Sequence, residues 1–149
     1  MESSISIVEN DSDCLVVADK ARVGKWVSER VNHTGNWGDY YGMGATKNGE
    51  LVAGIVMNNY NGANATCHIA ISKPTKLLKP LFTTFCNYAF VQCGMKRLTG
   101  MVPTNEPKII KFDKHLGFEE DCILKDGADG ADMMLLVLWP DKCRWLNKE

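Results

Sequence analysis

Residues 64–138 read NATCHIAISKPTKLLKPLFTTFCNYAFVQCGMKRLTGMVPTNEPKIIKFDKHLGFEEDCILKDGADGADMMLLVL, and the order of elements written there decides the fold. Asn64–Ser72 is a β-rich run. Leu77–Cys93 sets Leu78, Phe82, Phe85 and Ala89 on one helical face and meets Gly94 as its stop. Pro80 must then sit near the first turn, because an interior proline costs a helix about 3 kcal/mol. Arg97–Val102 is a short strand. Pro107–Leu116 is a helix with proline in its first turn, Thr104 or Asn105 as cap, Lys114 and His115 in its last turn, and Gly117 as stop. Phe118–Lys125 and Asp132–Trp139 are strands joined by the glycine-rich turn Asp126–Ala131. A strand, a helix and a strand in this order predict that the strands around Ile69 and Leu98 run parallel, joined by a right-handed crossover.

Upstream of this stretch the pattern is antiparallel. Tyr41–Lys47 and Leu51–Tyr60 flank Asn48-Gly49, and Leu51–Tyr60 and Asn64–Ser72 flank Asn61-Gly62. Asn-Gly supplies the two positive-φ positions of a type I′ turn, so both dipeptides predict tight hairpins and a three-stranded meander. Asn32 to Gly38 is a polar loop. Before it, Val23, Trp26, Val27, Arg30 and Val31 fall at the spacing of an amphipathic helix, with Asp11 and Asp13 as candidate caps. Ser4–Glu9 alternates apolar and polar residues as a first strand would.

The 149 residues are 45% hydrophobic and 23% charged, which is enough for one domain, residues 1–149, with a full core. A net charge of −1 gives no basic footprint for nucleic acid or an anionic membrane. No apolar run is long enough to span a bilayer, and Met1-Glu2-Ser3-Ser4 lacks the features of a secretion signal, so the expected location is cytoplasmic. The six cysteines show no CxxC pair, and the three histidines show no zinc spacing. Free thiols and no metal site are expected.

Several short runs carry a further likeness. They are His68-Ile69-Ala70-Ile71 at the end of the meander, Tyr88-Ala89-Phe90-x-Gln92-x-Gly94 closing a helix, and Lys96-Arg97-Leu98-Thr99 opening a strand. Asn105 follows, then Lys108-x-x-Lys111-Phe112-x-Lys114-His115-Leu116-Gly117-Phe118 and the tail Cys143-Arg144-Trp145-Leu146. In this order, over roughly Val23 to Leu146, they resemble the GNAT superfamily of N-acetyltransferases, particularly short stand-alone members common in phages and bacteria. The resemblance implies an α/β (α+β) fold: a mixed, mostly antiparallel sheet of 6–7 strands with a central splayed parallel pair, flanked by 3–4 helices.

The resemblance also implies acetyl-CoA as cosubstrate. Backbone groups at Ile69, Ala70 and Ile71 would hold the pantetheine amides as a pseudo-strand. The turn and helix start at Lys73, Lys76, Leu77 and Leu78 would hold the pyrophosphate, since free N–H groups and the helix dipole favour anions. The family's cradle is glycine-rich, whereas Ser72-Lys73-Pro74-Thr75-Lys76-Leu77-Leu78-Lys79-Pro80 contains no glycine. Its lysines are either phosphate partners or solvated surface charge. Asn105 is either a cofactor contact or a helix cap, and Ile109 and Phe112 either line the thiol end of CoA or are plain core.

The implied reaction is direct attack of a primary amine on the thioester. The expected tyrosine acid falls at Phe112 or Asp113, and no Glu lies on Asn64–Ser72. His68 is the candidate base, with Tyr60 as a candidate acid. The acceptor site is expected from the Asn32–Tyr41 loop, the Asn58–Ala63 hairpin and Asp126–Ala131, with Trp37, Asp39 and Tyr40 gripping a cationic amine or simply packing the loop. The expected partner is an amine of unknown identity; in the alternative, a non-catalytic GNAT-fold binding protein such as a phage product, it is a host protein. A monomer or homodimer fits equally.

Overall fold

The computed structural model of the protein describes residues 13–146. The elements run β1 (Asp13–Val16), α1 (Lys20–Arg30), β2 (Tyr40–Lys47), β3 (Glu50–Asn58), β4 (Asn64–Ile71), α2 (Leu78–Cys86), β5 (Arg97–Pro103), α3 (Pro107–Leu116), β6 (Glu119–Ala128) and β7 (Ala131–Leu138). Among the described residues seven strands order as β1-β2-β3-β4-β5-β7-β6; β1 with β2, β2 with β3, β5 with β7 and β6 with β7 pair antiparallel, and β4 with β5 pair parallel. The expected strand at Ser4–Glu9 and the cap at Asp11 lie outside the described residues. Among the described residues, no helix is long and apolar enough to cross a membrane.

The described residues form two compact units, residues 13–58 with 68–85, and residues 59–67 with 86–146. In the first unit, α1 is capped by Asp19, whose carboxylate accepts from Arg22 N–H at 3.4 Å. Asp13 instead opens β1, because its backbone pairs with Lys47. The expected stripe is realised: Val23 and Val27 are fully buried and cluster with Trp37, Leu51, Val56 and Ala70. Glycine permits that packing, since a Cβ on Gly54 would lie 2.7 Å from Val27 Cγ2. The β2–β3 turn has φ of 53° at Asn48 and 84° at Gly49, as a type I′ turn requires.

In the second unit, Asn61-Gly62 makes a different turn from the one expected. β3 ends at Asn58, and the positive φ values fall at Asn59 and Gly62. Asn61 Oδ1 accepts from the N–H groups of Ala63 and Asn64, at 3.0 and 2.8 Å. The Asn61 side chain thus closes the loop in place of a positive φ at Asn61 itself. α2 begins at Leu78 with Pro80 in its first turn, and Asn87–Gln92 continue it as a π-helical segment that ends before Gly94, φ 70°. α3 spans Pro107–Leu116, and Gly117 stops it at φ 116°. Its N-cap is Glu106, not Thr104 or Asn105, and no side chain caps it.

The parallel ladder includes the pairs Asn64–Arg97, Ala65–Leu98, Thr66–Thr99 and Cys67–Gly100. Thr99 Oγ1 donates to Asn64 Oδ1 at 2.6 Å, which ties the ladder together at its start.

Candidate active site

His68 follows Cys67 on β4. Alternation along the strand puts its side chain on the face opposite Cys67 and Ile69. Three residues of the first unit surround it. Asn58, the last residue of β3, is buried at 6% exposure, and its Oδ1 lies 3.0 Å from His68 Nε2. Trp37 packs against the imidazole, with ring centroids 4.7 Å apart and planes at 54°. His33 stacks on the indole at 3.8 Å, nearly parallel, and its own centroid is 5.9 Å from that of His68.

Each supporting group is held from behind. Trp37 Nε1–H donates to the Gly24 carbonyl at 3.0 Å, and the Trp37 carbonyl accepts from Asn58 Nδ2 at 3.2 Å. Gly35 N–H donates to His33 Nδ1 at 3.0 Å. Burial and the nearby His33 push the His68 imidazole down to about 4, so it is neutral at neutral pH. A neutral imidazole accepts a hydrogen bond from an incoming N–H or water, though a base this weak passes the proton on quickly.

The other candidates are placed less compactly. Trp37 is buried, with its indole N–H spent on Gly24 and one face covered by His33. It shapes the surroundings of His68 and does not present an open face to a cation. Lys20 Nζ already sits 4.9 Å over the Tyr40 ring, and Asp39 is exposed. Tyr60 lies in the Asn59–Ala63 loop at 57% exposure. Ile69 is half-buried, Ala70 buried and Ile71 exposed, while Lys73 and Lys76 face solvent. At the start of α2, Thr75 Oγ1 accepts from Leu77 N–H at 3.1 Å, and the Thr75 carbonyl accepts from Leu78 N–H at 3.4 Å. Asn105 and Ile109 are exposed and Phe112 half-buried.

The second unit holds a buried acid that the sequence does not announce. Asp113 is 8% exposed, and burial pushes its carboxyl up to about 7. The Cys67 thiol is raised by burial and then by the Asp113 charge, so it stays protonated and is no nucleophile. Cys86 is likewise raised, first by its hydrogen bond with Cys143 and then by burial. All six cysteines are free. Asn58 and His33 were not singled out because one is a polar residue ending an apolar strand and the other a lone loop histidine. A surface groove of about 420 Å³ lies elsewhere, lined by residues that include Arg22, Lys25, Trp26 and Arg30 and by none of the site candidates.

Neither a protein-family model nor a curated protein matches this chain. Solved structures do. The dodecameric spermidine N-acetyltransferase of Vibrio cholerae matches with a TM-score of 0.65 at 13% identity, over 88% of this chain and 95% of that one. A point variant of the Vibrio cholerae enzyme gives a TM-score of 0.67 at 13% identity, with 88% and 95% covered. YncA of Salmonella typhimurium, a candidate acetyltransferase solved with its cofactor acetyl-CoA, gives 0.66 at 14% identity, over 89% of this chain and 96% of that one. With its strand order and the parallel pairing of β4 with β5, the chain has the fold of the GNAT superfamily of N-acetyltransferases.

Proposed function

We propose that this protein is an N-acetyltransferase that moves the acetyl group of acetyl-CoA to a primary amine, on a small molecule or a protein, by direct attack on the thioester. The observation that carries this reading is the parallel pairing of β4 with β5 in a fold shared with a protein solved with acetyl-CoA. The backbone of Ile69–Ile71 would take the pantetheine amides, and Ile109 and Phe112 would line the thiol end. Lys73 and Lys76 would supply charge to the pyrophosphate at the start of α2. Asn105 would contact the cofactor.

In this reading the amine nitrogen attacks the thioester carbonyl carbon, the C–S bond breaks, and CoA leaves as a thiolate. The amine's proton passes by way of His68 or a water beside it to solvent, and solvent protonates the thiolate. No covalent enzyme intermediate forms. Spermidine is the substrate named for the Vibrio cholerae proteins, which supports an amine acceptor for this one. A second reading, a GNAT-fold protein that binds a partner without turnover, is favoured by one feature. The N–H groups of Leu77 and Leu78 are already bonded to Thr75 in a loop with no glycine.

Calorimetric titration with acetyl-CoA and with CoA separates the two readings. Micromolar binding, followed by thiol release with an amine panel, is the expected result. No heat at millimolar ligand overturns the acetyltransferase reading.

A further inference from the structure

The geometry points to Asn58 as a positioning residue that locks His68 in one tautomer, with the proton on Nε2 and the lone pair on Nδ1 turned to the reaction. This deepens the acetyltransferase reading and rests on it for its effect on turnover. The Trp37 carbonyl can only accept a hydrogen bond. It lies 3.2 Å from one end of the Asn58 amide, so that end must be the NH₂ group. The other end, 3.0 Å from His68 Nε2, must then be the carbonyl oxygen. An amide oxygen also only accepts, so Nε2 must carry the hydrogen and donate it. In a neutral imidazole the remaining nitrogen, Nδ1, is left as the acceptor.

The chain of dependence runs over the loop and the helix together. Trp37 is pinned by its bond to Gly24 and by the stacked His33, so its carbonyl is a fixed reference for Asn58. Asn58 is buried and ends β3, so its amide has little freedom to turn. A swap of tautomer at His68 would set two acceptors, Nε2 and Oδ1, against each other at 3.0 Å. His68 thus offers its acceptor at one nitrogen only, and an incoming amine or water meets a lone pair of defined direction.

The test is the two-bond ¹H–¹⁵N spectrum of the ¹⁵N-labelled full chain near neutral pH. The protein has three histidines, and His68→Gln identifies the signals of His68. The expected wild-type spectrum shows a single tautomer with the proton on Nε2. Asn58→Leu should give a tautomer mixture and a kcat about tenfold lower, with the KM for acetyl-CoA unchanged. Asn58→Asp, which loses the same bond to Trp37 but keeps an acceptor for Nε2–H, should retain the Nε2–H tautomer. It should also raise the pH at which His68 titrates. Rescue of the tautomer by Asp but not by Leu is what a merely structural role would not produce.

A wild-type proton on Nδ1, or an unchanged tautomer in Asn58→Leu, overturns the inference, and the wild-type spectrum decides this even where a variant fails to fold. If the spectra are as expected and no amine is acetylated, the lock stands and the acetyltransferase reading falls.

Discussion

Trp37 Nε1–H donates to the Gly24 carbonyl at 3.0 Å, so a loop residue is bolted to the middle of the helix that precedes it. That bond sits in the buried cluster with Val23 and Val27 and holds the indole under the His33 ring. Trp37→Phe keeps most of the apolar contact and removes the donor. It should destabilise the protein by about 0.5–1.5 kcal/mol, because one buried hydrogen bond is lost while the Gly24 carbonyl keeps its helical partner. Urea unfolding that shows a lower midpoint with an unchanged slope would agree, and an unchanged midpoint would refute the bond's importance.

Half-buried His68 and buried Asp113 make opposite demands on pH. The His68 imidazole falls from 6.5 to about 4, so the unfolded chain binds the extra proton between those values. Stability from this group is present above 6.5 and lost as pH falls toward 4. Asp113 rises from 3.8 to about 7, so the folded chain holds the extra proton. Its contribution is present below 3.8 and lost as pH rises through about 7. Each amounts to about 3–4 kcal/mol at most, so in wild type the two slopes largely cancel over the same window. Asp113→Asn should expose the histidine's slope, with stability rising from pH 4 to 6.5, and His68→Phe should expose the opposite one. Melting temperatures across that range decide, and a flat profile in both variants would refute the pairing of effects.

Gly44 has no room for a side chain. A Cβ there would lie 2.7 Å from the Ala53 carbonyl oxygen, a backbone atom of the facing strand, and 2.9 Å from Leu51 Cδ2. Gly44→Ala should cost about 1–3 kcal/mol through displaced backbone. Gly49→Ala meets nothing within 4 Å and pays only for its φ of 84°, so it should cost less. Equal losses in the two variants would show that β2 and β3 yield easily.

Asn105 separates a cap from a ligand contact. It is exposed, and the cap position of α3 is Glu106, so Asn105→Ala should change stability by less than about 0.5 kcal/mol. If the residue contacts the cofactor, the same variant should weaken acetyl-CoA binding. Lys76→Glu should weaken it as well, and more at low salt than at high salt, since the lysine is exposed and its field is screened. Calorimetry on both variants reads the effect, and wild-type affinity in both would remove these residues from the site.

Several features were legible because their causes are local. Asn48-Gly49 makes its type I′ turn because both residues accept positive φ and the strands pair right up to them at Lys47–Glu50. Gly117 likewise accepts positive φ and stops α3, and the spacing of Val23 and Val27 announces the buried face of α1. The parallel placement of the Ile69 and Leu98 strands follows from the helix between them, which forces a crossover.

The turn at Asn61, the cap at Asp19 and the surroundings of His68 were settled otherwise. In each, a polar side chain chooses among several partners, and the choice depends on what packing brings within 3 Å. The sequence by itself determined the order of strands and helices and the strand on which His68 lies, because φ preferences and apolar periodicity act over a few residues. Only the tertiary structure decided that Asn58, Trp37 and His33 meet at that imidazole and that Asp113 is buried. Those neighbours come from separate segments, and a hydrogen bond or a desolvation penalty exists only once the segments have packed together.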